Sequence, residues 1–227
     1  MKKFATVAAC IAVAGVGLVA PAQAYDRDGY SYAAGHMIGF KDIPKSLNAK
    51  RGANFSAYDI PGKNYLCGSD SKDVEFSGGQ RSYSINYQGR GSSSTNVSVS
   101  EYGSDAAAEK AFNGLRNSLK ECEGTSSGSQ TFDDGSVDTW QKLTTTGSVP
   151  MVTVVGVESV FLNENYEDVT TGEYGGRYTS DTYSVYTLVG DVIIQTNFYT
   201  GSELNMTAKQ RKAVNQVAFN AVTRWLD

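Results

Sequence analysis

From residue 81 onward the chain alternates between apolar and polar positions. In RSYSINYQ, Arg81 to Gln88, the residues Tyr83, Ile85 and Tyr87 fall on one side of an extended backbone. STNVSVSEY, Ser94 to Tyr102, repeats the pattern with Val97 and Val99, and GRGSSS between the two runs supplies a flexible hairpin connection. The period then changes. Ser104 caps a segment in which Ala108, Ala111, Phe112, Leu115, Leu119 and Cys122 form one continuous helical face, and Gly124 stops it. This predicts a helix from Asp105 to Cys122, with acids Asp105 and Glu109 in its early turns. GTSSGSQTFDDGS, from Gly124, reads as a polar loop and VDTWQKLTTT as a strand. PMVTVVGVESVFLN, from Pro150, is β-branched enough for a central strand. YTSDTYSVYTLVG and DVIIQTNFYT form a second hairpin about Gly190-Asp191. TAKQ, from Thr207, is a capping box. It opens a last helix whose apolar face is Val214, Val217, Ala218, Ala221, Val222 and Trp225. Before residue 81 the pattern is weaker. Residues 25–35 read as a loose lead-in, Pro44 to Ala49 as a short helix, and 52–70 as irregular with a Pro61-Gly62 turn. The sum is an α+β fold: a twisted antiparallel β-sheet with two main amphipathic helices packed against it, in one domain.

The first 24 residues follow a different logic. Lys2 and Lys3 precede the apolar run Phe4 to Ala20, and Pro21 to Ala24 (PAQA) supply a small-x-small cleavage pattern. They read as a signal peptide cleaved after Ala24, leaving residues 25–227 as the mature domain, with 25–64 its loosely ordered lead-in. VAAC, Val7 to Cys10, superficially resembles a lipoprotein box, but cleavage there would leave too short a leader. No later stretch is long and apolar enough to span a bilayer. The expected location is secreted or envelope-associated. Cleavage removes two lysines and no acid, which takes the net charge from −4 to about −6. That balance argues against a nucleic-acid or anionic-membrane partner.

Cleavage also removes Cys10 and leaves Cys67 and Cys122. An even cysteine count in an exported chain suggests one disulfide, closing a loop of about 55 residues and contributing roughly 4 kcal/mol on the chain-entropy model. It would fix the end of the first long helix to the segment before the first hairpin.

Candidate chemistry is sparse. His36 is the one histidine, and no Gly-x-Ser-x-Gly elbow accompanies it. No Cys/His cluster has zinc spacing, and GGQRSYSINYQGRG lacks the Gly-Lys-Ser/Thr end of a phosphate loop. The reading is therefore no enzyme and no cofactor, with a hydrolase centred on His36 as the catalytic alternative. The most unusual stretch is NENYEDVTTGEYGGRY, Asn163 to Tyr178. It reads as the lining of a binding cleft, as a weak calcium site without the regular acidic loop, or as a solvated hairpin tip. The candidate ligand contacts are Tyr166, Glu173, Tyr174, Arg177, Tyr178, Tyr183 and Tyr186, although Tyr183 and Tyr186 fall on opposite faces of one strand.

YLCGSD, then a hairpin, then VSVSEYGSDAAAEKAFNGLRNSLKECEG resembles the extracellular sensor domain of actinobacterial PknH-type serine/threonine kinases. The shared features are a cysteine before the first hairpin, Tyr-x-Ser-x-x-x-Ala at the strand-to-helix junction, and Cys-x-Gly at the helix end. The likeness runs from about residue 40 to the last helix. It implies an antiparallel sheet with two main helices and a cleft for an unidentified ligand, in a stand-alone member without a kinase. Leu119 stands where family members often carry tryptophan, and Cys67 and Cys122 are one pair where four-cysteine members have two. The resulting expectation is a sensor-like module for an unknown small molecule or cell-envelope component. The alternative is a surface module with a protein partner.

Overall fold

The computed structural model of the chain describes residues 29–50, 53–59, 63–66, 74–77, 81–150, 157–172, 175–201 and 205–227. The leader, Cys67 and with it the expected bond to Cys122, Glu173 and Tyr174 lie outside these residues. Among the described residues ten strands and three α-helices follow in the order α1 (Gly29–His36), β1 (Asn54–Asp59), β2 (Lys63–Leu66), β3 (Val74–Ser77), β4 (Arg81–Gln88), β5 (Ser94–Glu101), α2 (Asp105–Cys122), β6 (Gly124–Thr131), β7 (Val137–Ser148), β8 (Glu158–Thr170), β9 (Gly176–Val189), β10 (Val192–Tyr199) and α3 (Ala208–Leu226). Eight strands make one antiparallel sheet in the order β1-β4-β5-β10-β9-β8-β7-β6, and β2 and β3 pair separately.

The length of α2 follows from that order. The helix leaves β5 and must deliver the chain to β6, five strand positions away. Five spacings are about 24 Å, and an 18-residue helix is about 27 Å long. Ser104 caps its start by accepting from the Ala107 N–H at 3.3 Å. The chain then meanders back through β7, β8 and β9 to β10, and the turn between the last two has Gly190 at φ 57°, a value glycine adopts without strain.

The two long helices cover opposite faces of the sheet. Ala108, Ala111, Phe112, Leu115 and Leu119 of α2 pack with Val160, Leu162, Tyr186 and Ile193, and Cys122 lies half-buried at the edge of that cluster. Val214, Val217, Ala218, Val222 and Trp225 of α3 pack with Val97, Val99, Tyr183, Val185, Val192, Ile194 and Phe198 on the other face. Each large apolar side chain fully buried this way contributes about 1.5–3 kcal/mol. The capping box at Thr207 closes as expected: Gln210 N–H donates to Thr207 Oγ1 at 3.2 Å, and Thr207 N–H donates to Gln210 Oε1 at 2.9 Å.

Within the expected lead-in, residues 29–50 contribute α1 and two short 3-10 turns, Phe40–Asp42 and Lys45–Leu47. Ala33, Met37, Ile38, Ile43 and Leu47 are buried in the α3-side core. Arg224 of α3 pairs with Asp42 at 2.8 Å, and the Tyr87 hydroxyl donates to Ile38 O at 3.0 Å. Two expectations are corrected. Residues 124–131 form an edge strand instead of part of a polar loop, because their register with β7 supplies order that their side chains do not announce. Residues 54–59 and 63–66 are strands inside the segment expected to be irregular.

Candidate functional site

Strands β7, β8 and β9 outrun the helices. The apolar part of β8 ends at Leu162, and from Asn163 to Thr170 both faces are dominated by polar and aromatic side chains. Alternation sends Asn165 and Glu167 toward the α3 side, and Glu164, Tyr166 and Asp168 toward the α2 side.

On the α3 side the extension forms a cleft of about 230 Å³, lined by Thr125, Gln141, Leu143, Asn165, Tyr166, Glu167, Arg177, Thr179, Asp181 and Asn205. The register explains the gathering: Gln141, Glu167 and Thr179 are cross-strand neighbours, as are Leu143, Asn165 and Asp181. Arg177 Nε lies 2.9 Å from Glu167 Oε1, which places opposite charges at the mouth. The rear wall is a buried polar network. Asp181, 2% exposed, accepts from the Met206 N–H, and its own N–H donates to Thr200 Oγ1 at 2.9 Å. Arg211 of α3 donates to Asn163 Oδ1 at 3.1 Å and to Met206 O at 3.2 Å. Asn163 in turn donates to Asn165 Oδ1 at 2.9 Å. These bonds fix the start of α3 against the extension, so the cleft is held from both sides.

On the α2 side the rings of Tyr166 and Tyr178 meet edge to face, with centroids 6.0 Å apart. The Tyr166 hydroxyl donates to Asp168 Oδ2 at 3.1 Å. Burial, and then that bond, push the phenol up to about 12. Asp168 and Asp138 lie diagonally across the β7–β8 ladder on the same face. Burial first, then the neighbouring Asp138, raise Asp168, whereas Asp168 and the Thr170 hydroxyl lower Asp138. The hydroxyls of Tyr178 and Tyr199 are also hydrogen-bonded to each other. Further along this face Asn54, Asn86, Asn96 and Asn197 stand in register across four neighbouring strands. Asn96 donates to Ser84 Oγ at 2.8 Å, and Asn197 to Ser184 Oγ at 2.8 Å.

The sequence-derived contacts therefore divide. Arg177 lines the cleft, and Tyr166 borders it while directing its hydroxyl to the opposite face. Tyr178 stands on the α2 side. Tyr183 is buried beneath α3, with its hydroxyl 3.1 Å from Asn215 Oδ1, and Tyr186 is buried beneath α2. Glu173 and Tyr174 lie outside the described residues. His36 stacks on Tyr32 at 3.7 Å, with Nδ1 2.8 Å from Tyr32 O. Asn165 and Glu167 belong to the segment singled out in the sequence, and Thr179 and Asp181 lie just beyond it, where alternation from Arg177 selects them. Gln141, Leu143 and Thr125 carried no signal, because only the sheet order brings them in, and Asn205 arrives with the lead into α3. Among the described residues no helix is long and apolar enough to cross a membrane.

Comparison with known proteins finds no matching family model and no curated protein that matches. Among solved structures the chain is similar to the extracellular domain of PknH from Mycobacterium tuberculosis, with a TM-score of 0.50 and 11% identity over 85% of this chain and 93% of that one. At that identity the likeness is one of fold.

Proposed function

We propose that the chain is an exported, sensor-like binding module that holds a small or envelope-derived polar ligand in the cleft between the β7–β9 extension and the start of α3. The observation that carries the reading is the cleft, where hydrogen-bonding side chains from β6, β7, β8, β9 and the α3 lead converge before a rigid rear wall. Its volume is below the roughly 300–1,000 Å³ of drug-sized pockets, which suits a small polar molecule or the head of a larger one. The fold likeness to an extracellular kinase domain and the leader-like N-terminus support export. We assign no catalytic role, and His36 serves packing. A Cys67–Cys122 bond completes the reading: α2 packs against both β2 and β3, and β2 ends at Leu66, one residue before Cys67.

The in-register asparagines on the α2 side favour a second reading, a surface that meets a partner without any small ligand. Thermal-shift screening of the mature protein against fractionated envelope extracts separates the two. Saturation at about 100 Kd adds about 2.7 kcal/mol, a shift on the order of 5 °C for a domain of this size. Arg177→Ala combined with Thr179→Val should abolish the shift and leave the ligand-free Tm unchanged. An unshifted wild type in every fraction, or an equal shift in the variant, rejects the cleft.

A further inference from the structure

The sheet has two outer strands, and they differ in protection. An exposed edge carries a row of unpaired N–H and C=O groups, and natural proteins blunt such edges with charge, proline, bulges or brevity. β1 has six residues and ends on Asp59. β6, GTSSGSQT, has eight residues with no charge and no proline, and its register with β7 runs unbroken from Gly124↔Thr144 to Thr131↔Val137. Its side chains are uncharged and exposed, and half-buried Gly128 lies beneath the Trp140 indole. Among the described residues no strand lies beyond it. In an antiparallel pair alternate residues turn their N–H and C=O groups away from the partner, so β6 offers four such residues to an incoming strand.

The charges at its ends choose the occupant. Glu121 and Glu123 precede β6 and Asp133 and Asp134 follow it, all exposed, with Lys120 the nearby base. A second copy paired edge to edge would set acidic ends against acidic ends in either direction, which is repulsive. We propose that β6 is a docking edge for an extended segment of a partner polypeptide, about eight residues long, with an uncharged β-forming centre and basic residues at both ends. Backbone bonds supply the affinity, and the flanking carboxylates supply selection. The proposal is independent of the cleft ligand, which meets β6 at Thr125.

The test is amide hydrogen exchange on the mature protein with two synthetic peptides, Lys-Arg-Thr-Val-Ser-Val-Thr-Val-Lys-Arg and the same core ended by glutamates. The basic-ended peptide should slow exchange at residues 124–131, and the acidic-ended one should bind roughly tenfold more weakly. Added salt should narrow that gap. Glu123→Lys with Asp133→Lys, both exposed positions, leaves one acid and one base at each end and should largely remove the preference. Protection outside β6, protection by neither peptide, equal protection by both, or a preference unmoved by the charge reversal overturns the proposal. None of these outcomes changes the envelope-fraction thermal shift, so the two readings fail separately.

Discussion

Strands β8 and β9 each pass through two environments. Their half nearer β10's start is held between α2 and α3: Val160, Leu162 and Tyr186 face one helix, and Val185 and Tyr183 the other. Their far half carries Asn165, Glu167, Arg177 and Thr179 on one face and Tyr166, Asp168 and Tyr178 on the other. The backbone ladder is continuous through both halves, so hydrogen bonding does not distinguish them. Side-chain chemistry does. In the covered half the same alternation fills two dry cores, and in the free half it presents two polar surfaces. Stability is concentrated in the first, so exposed side chains of the second can change at little energetic risk.

The largest test of this division is Phe112→Ala. Phe112 is 1% exposed beneath α2, and its loss should lower the unfolding free energy by about 3–5 kcal/mol in urea denaturation. Tyr178→Ala in the free half should cost under about 1 kcal/mol, and comparable losses for the two would break the comparison. Next comes Cys122→Ser. If the proposed bond with Cys67 holds the covered half, the variant loses about 2–4 kcal/mol and the wild type loses a similar amount under reductant. A wild type indifferent to reductant removes the staple. The smallest effect is a change in pH dependence at the Asp138–Asp168 pair. Asp168 titrates above its ordinary 3.8 when folded, so its contribution is full below that value and is lost as pH rises through the folded pKa. Asp138 titrates below 3.8, so its contribution is present above that value and is lost as pH falls through the lowered one. The pair therefore contributes most near pH 4. Asp168→Asn leaves the Thr170 hydroxyl as donor to Asp138, and should flatten the stability profile above pH 4 while leaving its acid side intact. Urea midpoints measured from pH 3 to 8 would show this, and an unaltered slope above pH 4 would dissociate the pair.

The contrast also explains which features were legible in the sequence. The covered half writes its burial into periodicity: Ala108 to Cys122 and Val214 to Trp225 repeat at helical spacing, and Ser104 and Thr207 mark the starts. The Gly190-Asp191 hairpin was equally plain, because apolar runs flank it. β6 was not legible. A strand exposed on both faces needs no alternation, and Gly-Thr-Ser-Ser-Gly-Ser-Gln-Thr looks like a loop until β7 pairs with it. The cleft was half legible. The composition of Asn163 to Tyr178 pointed to the right segment, and Arg177 was named, but Gln141 arrives only through the sheet order and Asn205 only through the lead into α3. Tyr183 and Tyr186 were misleading for a physical reason: a tyrosine buried by its ring and hydrogen-bonded by its hydroxyl looks the same in sequence as one lining a cleft.

The most direct measurement is mass spectrometry of the protein recovered from its own host, first under native and then under denaturing conditions. Added mass that is released on denaturation, and that Arg177→Ala with Thr179→Val no longer retains, is the predicted result. A native mass equal to the bare chain, or added mass that the variant retains in full, would contradict a ligand in the cleft.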